Sequence, residues 1–566
     1  MKWRSCQLVC SGPGWHEEYQ ADRRRASDER AGLQSGRVWI VDSFEGSSLA
    51  TLRRSCYQIK PKINNIWSCM QGGLYWPYLA GQQYKRAKGS WLLFNMTVDK
   101  NHHYLFQAKV SDRQLECIGT AKDGQWLVLQ DPKTGEKKEI YDAVSGAAVC
   151  SLKHGDNEIL SQMNDFAKQS AYTFCVAFSN TAAEDLAEFM CSKSEGCFSS
   201  AMFVCSGSEA NEQAMRYAVQ YHIEKGDKER YKFISRTSAY HGYLVGALSI
   251  GDNPMKPLLK KMLLSDDQVP KISRLMPYRD MKPGMSEEEY CKMLLDNLEQ
   301  TFVDNGPEKV AGVFMETVSG SSIGNSVPPK GYLDGARAIC EKYGALLILD
   351  EVMCGLGRCG YPFTFMDPEY GLSTGGPDLL TFGKTVGAGI VPLSGVMVAP
   401  KVVNAIKEGS GTVMGYQTYH SHYLNCTVGL AVQKKIYRDN LIENVREVGA
   451  YTKAALQAAL KDCKVAGDVR GAGNFISVEL VKDRATKESF PFENNMAKVL
   501  QEKTFARSAH FMCINGCNGY EYVDGKLVQH GTHITMAPAF GYSREDADFI
   551  VQVLADTLFE IEREYL

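Results

Sequence analysis

The chain has 566 residues, 44% hydrophobic and 23% charged, enough to bury a large core and too much for a peptide, a disordered tail or a minimal module. Its 63 Lys+Arg stand against 66 Asp+Glu, a balance with no field suited to a phosphate backbone or an anionic lipid surface, so neither nucleic acid nor membrane is expected as a partner. No apolar run approaches the roughly 18 residues that a membrane span requires. Residues 1–14 hold only a short, broken apolar run, so a secretory leader is not expected. The 18 cysteines are scattered without a repeated framework, which fits a reducing compartment and a cytoplasmic location.

The front of the chain differs from the rest. Residues 1–110 hold 16 Lys+Arg and 8 Asp+Glu, and all seven Trp lie within the first 126 positions. Arg23, Arg24 and Arg25 would suit an organelle leader, but Glu17, Glu18, Asp22, Asp28 and Glu29 do not suit an acid-poor transit peptide. A poorly packed basic extension is expected. From about Gly124, short apolar runs (201–205, 232–235, 310–315, 345–349) alternate with helix-period stretches (209–225, 287–303, 332–343). That alternation predicts a mostly parallel sheet with helices on both faces, and ligands at the carboxyl ends of its strands. Past about Leu430 the pattern becomes a long helical stretch, a strand near 474–481 and a last helix near 545–560, which reads as a smaller second lobe.

Three strand ends carry candidate chemistry. Run 201–205 leads into Ser206-Gly207-Ser208-Glu209-Ala210-Asn211 at the start of a helix. Such a turn offers free N–H groups to a phosphate or carboxylate, although Ser is also an ordinary N-cap. Run 345–349 ends in Asp350 and Glu351. A carboxylate there needs a facing donor or cation, such as a protonated heterocyclic nitrogen, unless it caps the next turn or pairs with Arg358. Lys384 follows Gly383 on a short apolar strand. A buried ammonium tends to lose its proton and become a nucleophile toward aldehydes; a Lys snorkelling to the surface is the other reading. Cys513 and Cys517 lack a second pair at zinc spacing, so no metal site is expected.

Taken together, Ser206 to Glu212, Tyr240-His241-Gly242, Asp350-Glu351-Val352, Gly357-Arg358-Cys359-Gly360, Pro377-Asp378 through Lys384, Gln417 to His422, Glu479 to Arg484 and Met536-Ala537-Pro538 resemble the class III pyridoxal-phosphate aminotransferases in order and spacing. The resemblance covers roughly residues 112–562. It implies fold type I: a large α/β domain with a mostly parallel sheet, at 171–430, and a smaller α+β domain drawn from 111–170 and 431–566. It implies pyridoxal 5′-phosphate as cofactor and a ping-pong transfer of an amino group from an amino acid or omega-type amine to a keto acid or aldehyde. Lys384 would condense with the cofactor's aldehyde and move the substrate proton, while Asp350 would keep the pyridine nitrogen protonated. Gly207 and Ser208 would bind the phosphate, and Tyr240 and Val352 would pack on the two ring faces. Thr418 would reach the phosphate of a neighbouring subunit in a homodimer. Ser145 and Gly146 resemble part of the family's substrate-entrance loop.

The chain departs from the family at Met353, where many members carry a Gln that bonds the cofactor's phenolic oxygen. Ser321 and Thr535 stand where glutamate-using members often pair a Glu with an Arg. Pyruvate, or another acceptor with a smaller anionic load, is therefore as good an expectation as 2-oxoglutarate. A racemase, aminomutase or decarboxylase on the same scaffold, or a catalytically silent relative, are the alternative readings.

Overall fold

The computed structural model describes residues 85–87, 90–92 and 114–566. The chain divides into two units, Met1–Gln114 and Leu115–Leu566. Within the first, Lys85–Ala87 and Ser90–Leu92 pair as an antiparallel hairpin with Lys85 opposite Leu92. The expectations of a leader or a poorly packed extension otherwise lie outside the described residues.

The second unit opens with an antiparallel meander, β1 (Glu116–Ala121), β2 (Trp126–Gln130) and β3 (Lys137–Asp142). Ala509–His510 adds to β3 in parallel, Ala509 opposite Tyr141. Residues from the two ends of the unit thus share one sheet. The junction is held by apolar burial: Tyr141 is buried and meets the Trp126 and Phe549 rings edge-on, each at 5.6 Å.

The site rests on a seven-stranded sheet. Its strands are β4 (Ser200–Val204), β5 (Lys232–Arg236), β6 (Lys271–Ile272), β7 (Val310–Glu316), β8 (Leu346–Glu351), β9 (Leu379–Phe382) and β10 (Ser394–Val398). They lie in the order β4-β10-β9-β8-β7-β5-β6, and β10 runs antiparallel to both its neighbours while the other pairings are parallel. Every residue of β7 and β8 is buried, as a strand covered on both faces requires. Alternate side chains of β8 feed two cores. Leu346 and Ile348 pack with Ala210, Ala214 and Tyr217 of the helix Gly207–Glu224, whereas Leu347 and Leu349 pack with residues of helices Glu287–Asn305 and Tyr332–Tyr343.

A second sheet, β11 (Ala466–Ala472), β12 (Phe475–Leu480), β13 (Met512–Asn515) and β14 (Thr532–Met536), is antiparallel in the order β11-β12-β14-β13. It shares a core with helices Leu441–Ala459 and Arg544–Tyr565. Two expectations on length need correction. The helical stretch past 430 is two helices, Tyr423–Arg438 and Leu441–Ala459, parted at Asn440, whose φ of 53° breaks the helix in the left-handed region that Asn tolerates. The last helix runs from Arg544 to Tyr565, beyond the expected 545–560.

Candidate active site

Strand β8 extends past the apolar run because Asp350 and Glu351 remain in register with Thr381 and Phe382 of β9. Adjacent strand residues face opposite sides, and the two carboxylates accordingly have different work. Asp350, its side chain 6% exposed, accepts from Asn211 Nδ2 at 2.8 Å and from the backbone N–H of Val352 at 3.0 Å. His241 Nδ1 lies 2.8 Å from its Oδ2 and must carry the proton to bond a carboxylate. Asn211 is itself fixed, donating to the carbonyl of His241 at 2.7 Å and accepting from Thr381 Oγ1 at 2.8 Å. Glu351 accepts instead from Thr317 Oγ1 at 2.9 Å and from the N–H groups of Thr364 and Phe365, each at 2.7 Å. Burial pushes its pKa up to about 7. It pins the loop that follows β8 and does not face the cavity. Arg358 pairs with neither acid: it bonds Asn474 Oδ1 and the carbonyl of Pro538 and lies over the Phe540 ring.

The cap reading of the turn after β4 falls on Ser206, which leaves Gly207 and Ser208 for the other. Ser206 is the cap: its Oγ accepts from Glu209 N at 3.3 Å, and the Glu209 carboxylate accepts from Ser206 N at 2.9 Å. Gly207 and Ser208 then form the first turn, where backbone N–H groups have no partner inside a helix. A Cβ at Gly207 would stand 2.7 Å from Val352 Cγ1, so only Gly permits Val352 to close over the turn. Gly242, at φ 127°, is as tightly placed: a Cβ there would stand 2.3 Å from Ser208 Oγ. Ser208 Oγ accepts from Tyr243 N at 2.9 Å, tying the 240–243 segment to the helix start.

Lys384 is not on the strand, as the sequence had led us to expect. Strand β9 ends at Phe382, and Lys384 opens the 3₁₀ turn Lys384–Val386 at φ 45°. A left-handed non-glycine residue costs of order 1 kcal/mol or more, and such strain collects at functional sites. Its Nζ donates to the carbonyl of Ala147 at 2.9 Å. That carbonyl belongs to the turn Ser145–Ala148, anchored by Gly146 N donating to Asp142 Oδ2 at 2.8 Å. Burial pulls the Lys384 pKa from 10.5 to about 8, opposed in part by the negative charge of Asp350. A sizeable share of the amine is therefore neutral at mildly alkaline pH.

Gly207, Ser208, Tyr240, Asp350, Val352 and Lys384 line one cavity of about 280 Å³. Thr418 does not; it lies exposed on a loop of the same chain. Ser145 and Gly146 do not line it either, Ser145 being buried and Gly146 exposed, while Val149 of the same segment does. Met353 and Ser321 line the cavity, while Thr535 is buried in β14 with its Oγ1 2.6 Å from Ser477 Oγ. Sequence reasoning quoted Asn211 and His241 without giving them work, and it did not place Glu316 in the wall. Glu316 accepts from Arg236 Nη2 and from Tyr240 N, each at 3.2 Å. The donor set fits pyridoxal phosphate: an anion seat at a helix start, a carboxylate facing inward, a partly neutral amine, and a side chain for each ring face.

The profile of the class-III aminotransferases matches residues 107–514. An uncharacterised aminotransferase of Schizosaccharomyces pombe is 34% identical over 457 residues, 81% of this chain and 95% of the relative. A vanillin aminotransferase of Capsicum frutescens is 29% identical over 458 residues, 79% of this chain and 94% of the relative. Among solved structures, an (S)-enantioselective omega-transaminase of Thermomicrobium roseum superposes with a TM-score of 0.71 at 29% identity, covering 81% of this chain and 96% of that one. The chain belongs to the class-III aminotransferases, pyridoxal-phosphate-dependent transaminases of fold type I.

Proposed function

We propose that this transaminase takes the amino group of a terminal, omega-type amine and passes it to pyruvate or an aldehyde, with Lys384 and Asp350 as its catalytic pair. Pyridoxal phosphate, when bound, supplies an aldehyde for amine exchange and an electron-poor ring that stabilises charge at the substrate carbon. The Lys384 amine would hold the cofactor through its aldehyde and, once free, would serve as the base that moves the proton at the substrate carbon. Asp350, oriented by Asn211 and His241, would hold a proton on the ring nitrogen. The N–H groups of Gly207 and Ser208 would bind the phosphate, and Tyr240 and Val352 would hold the ring.

The observation that carries this reading is the shared cavity, with a depressed lysine pKa beside a hydrogen-bonded carboxylate. The substrate class rests on Ser321 and Thr535. Neither offers a cation or anion, so a second substrate carboxylate finds no charged partner at those positions. The names of two relatives, a vanillin aminotransferase and an omega-transaminase, support the same class. An amine screen on purified holoenzyme with pyruvate and 2-oxoglutarate as acceptors tests it. A strong preference for 2-oxoglutarate would overturn the acceptor assignment, and racemisation without any acceptor would favour the alternative chemistry.

Thr418 supports a homodimer with shared sites. Beside it in the chain Tyr416 and Tyr419 are 58% and 51% exposed, and Tyr419 meets Tyr172, itself 41% exposed, at 6.4 Å. An exposed aromatic patch of this kind suits a protein partner, and a second copy covering it would bring Thr418 to a neighbour's phosphate. The cysteines among the described residues are all free thiols, which supports a reducing, cytoplasmic setting.

A further inference from the structure

A second cleft, of about 540 Å³, lies away from the cavity of Lys384. It is lined by residues 277, 278 and 281–283 with Ser326 and Val327, and by Lys453, Gln457, residues 468–471 and Lys487. Its charge is lopsided. Lys282, Lys453, Lys487 and Arg470 line it, against Asp468 as the one acid of the lining. Asp468 is already engaged, accepting from Arg470 Nη1 at 3.0 Å, and Arg470 also gives that nitrogen to Glu479 at 2.6 Å. The three lysines find no carboxylate among the described residues. Lys453 Nζ donates to the carbonyl of Gly471 at 2.9 Å and Lys487 Nζ to that of Tyr278. Each ammonium has three donors and spends one this way, so each retains charge and N–H groups for a further acceptor.

Uncompensated like charges gathered in one concavity repel one another and raise the local concentration of anions. The concentration of three unpaired lysines in one cleft is the more telling because residues 111–566 carry 47 Lys+Arg against 58 Asp+Glu. A volume of this size accepts a metabolite rather than a bare ion, since small-molecule sites run from about 300 to 1,000 Å³. We propose that this cleft binds a small polyanion, a molecule carrying more than one phosphate or carboxylate charge, with Lys453 and Lys487 as its principal contacts and Lys282 at the rim. Because its walls come from segments far apart in sequence, the ligand would cross-link them and stabilise the unit.

The test is calorimetric titration of the cofactor-loaded enzyme with sodium phosphate and, separately, with citrate, at ionic strength held constant with chloride. Saturable binding of one anion per chain is expected, weakened at least tenfold in Lys453→Gln and in Lys487→Gln, with the visible absorbance of the bound cofactor unchanged. The arm that binds more tightly identifies phosphate or carboxylate chemistry. Should either variant fail to fold, Lys282→Glu at the exposed rim is expected to weaken binding in the same direction. Absence of saturable binding in both arms, or binding unchanged in these variants, would overturn the proposal. Transaminase activity enters none of these readouts, so the result stands apart from the substrate assignment above.

Discussion

Replacing Asn211 by Leu removes a polar hub while keeping most of its volume. In the native enzyme its amide makes three hydrogen bonds of 2.7 to 2.8 Å, to Asp350 Oδ2, to the His241 carbonyl and from Thr381 Oγ1. Asn211 is 1% exposed, so no water replaces them. The bond to the Asp350 carboxylate is charge-assisted, worth about 1.5 to 3 kcal/mol, and the two orphaned groups each cost about 1 to 3 kcal/mol. Even at the low ends of these ranges stability should fall by about 3.5 kcal/mol, toward the large end for a single substitution. The chemical effect comes from orientation: with only His241 and its own loop to steady it, Asp350 swings relative to the ring nitrogen, and a misplacement near 1 Å costs roughly 100-fold in rate. Denaturant unfolding, cofactor titration and steady-state kinetics together check this. The expected result is a fall in kcat with a smaller change in the substrate KM, together with a changed visible spectrum of the bound cofactor. If Asn211→Leu unfolds less readily than expected and retains the native kcat and spectrum, Asn211 does not position Asp350.

Other substitutions have equally definite outcomes. Gly207→Ala places a Cβ 2.7 Å from Val352 Cγ1; overpacking of this kind costs about 1 to 3 kcal/mol, and cofactor affinity measured by equilibrium titration should fall about tenfold or more. Lys384→Met in the cofactor-free protein tests the charge at that position. The folded pKa lies near 8 against an ordinary 10.5, so between these values the unfolded chain binds more protons and native stability rises with pH. The variant should therefore be more stable than the parent at pH 7, with the difference shrinking as pH climbs through 8 toward 10.5; a difference that does not vary with pH would show that Lys384 is not desolvated. Thr418→Ala should weaken cofactor retention on dialysis without altering the melting temperature of the cofactor-free protein, whereas unchanged retention would remove Thr418 from any neighbour's phosphate site.

Much of the architecture could be read from the chain because its signals are local. The uninterrupted apolar runs at 310–315 and 345–349 announce strands buried on both faces, and Ser206 followed by Glu209 announces a capped helix start. Lys384 was legible as a residue type beside Gly383 but not in its conformation, since nothing local states that β9 stops at Phe382 and that the next turn is left-handed. The division of labour between Asp350 and Glu351 was closed to sequence reasoning for a different reason. It depends on His241, 109 positions away, and on Asn211, 139 positions away, meeting one carboxylate oxygen. Arg358 shows the same limit. Its partners Asn474 and Pro538 come from beyond the large sheet, whereas spacing alone offered the nearby acids.

The central claim is a covalent one: the amine of Lys384 carries the cofactor. Borohydride reduction of the holoenzyme, followed by digestion and mass spectrometry of the peptides, tests it directly. The account predicts the reduced cofactor on the peptide containing Lys384 and its loss in Lys384→Ala; the same mass on any other lysine would contradict it.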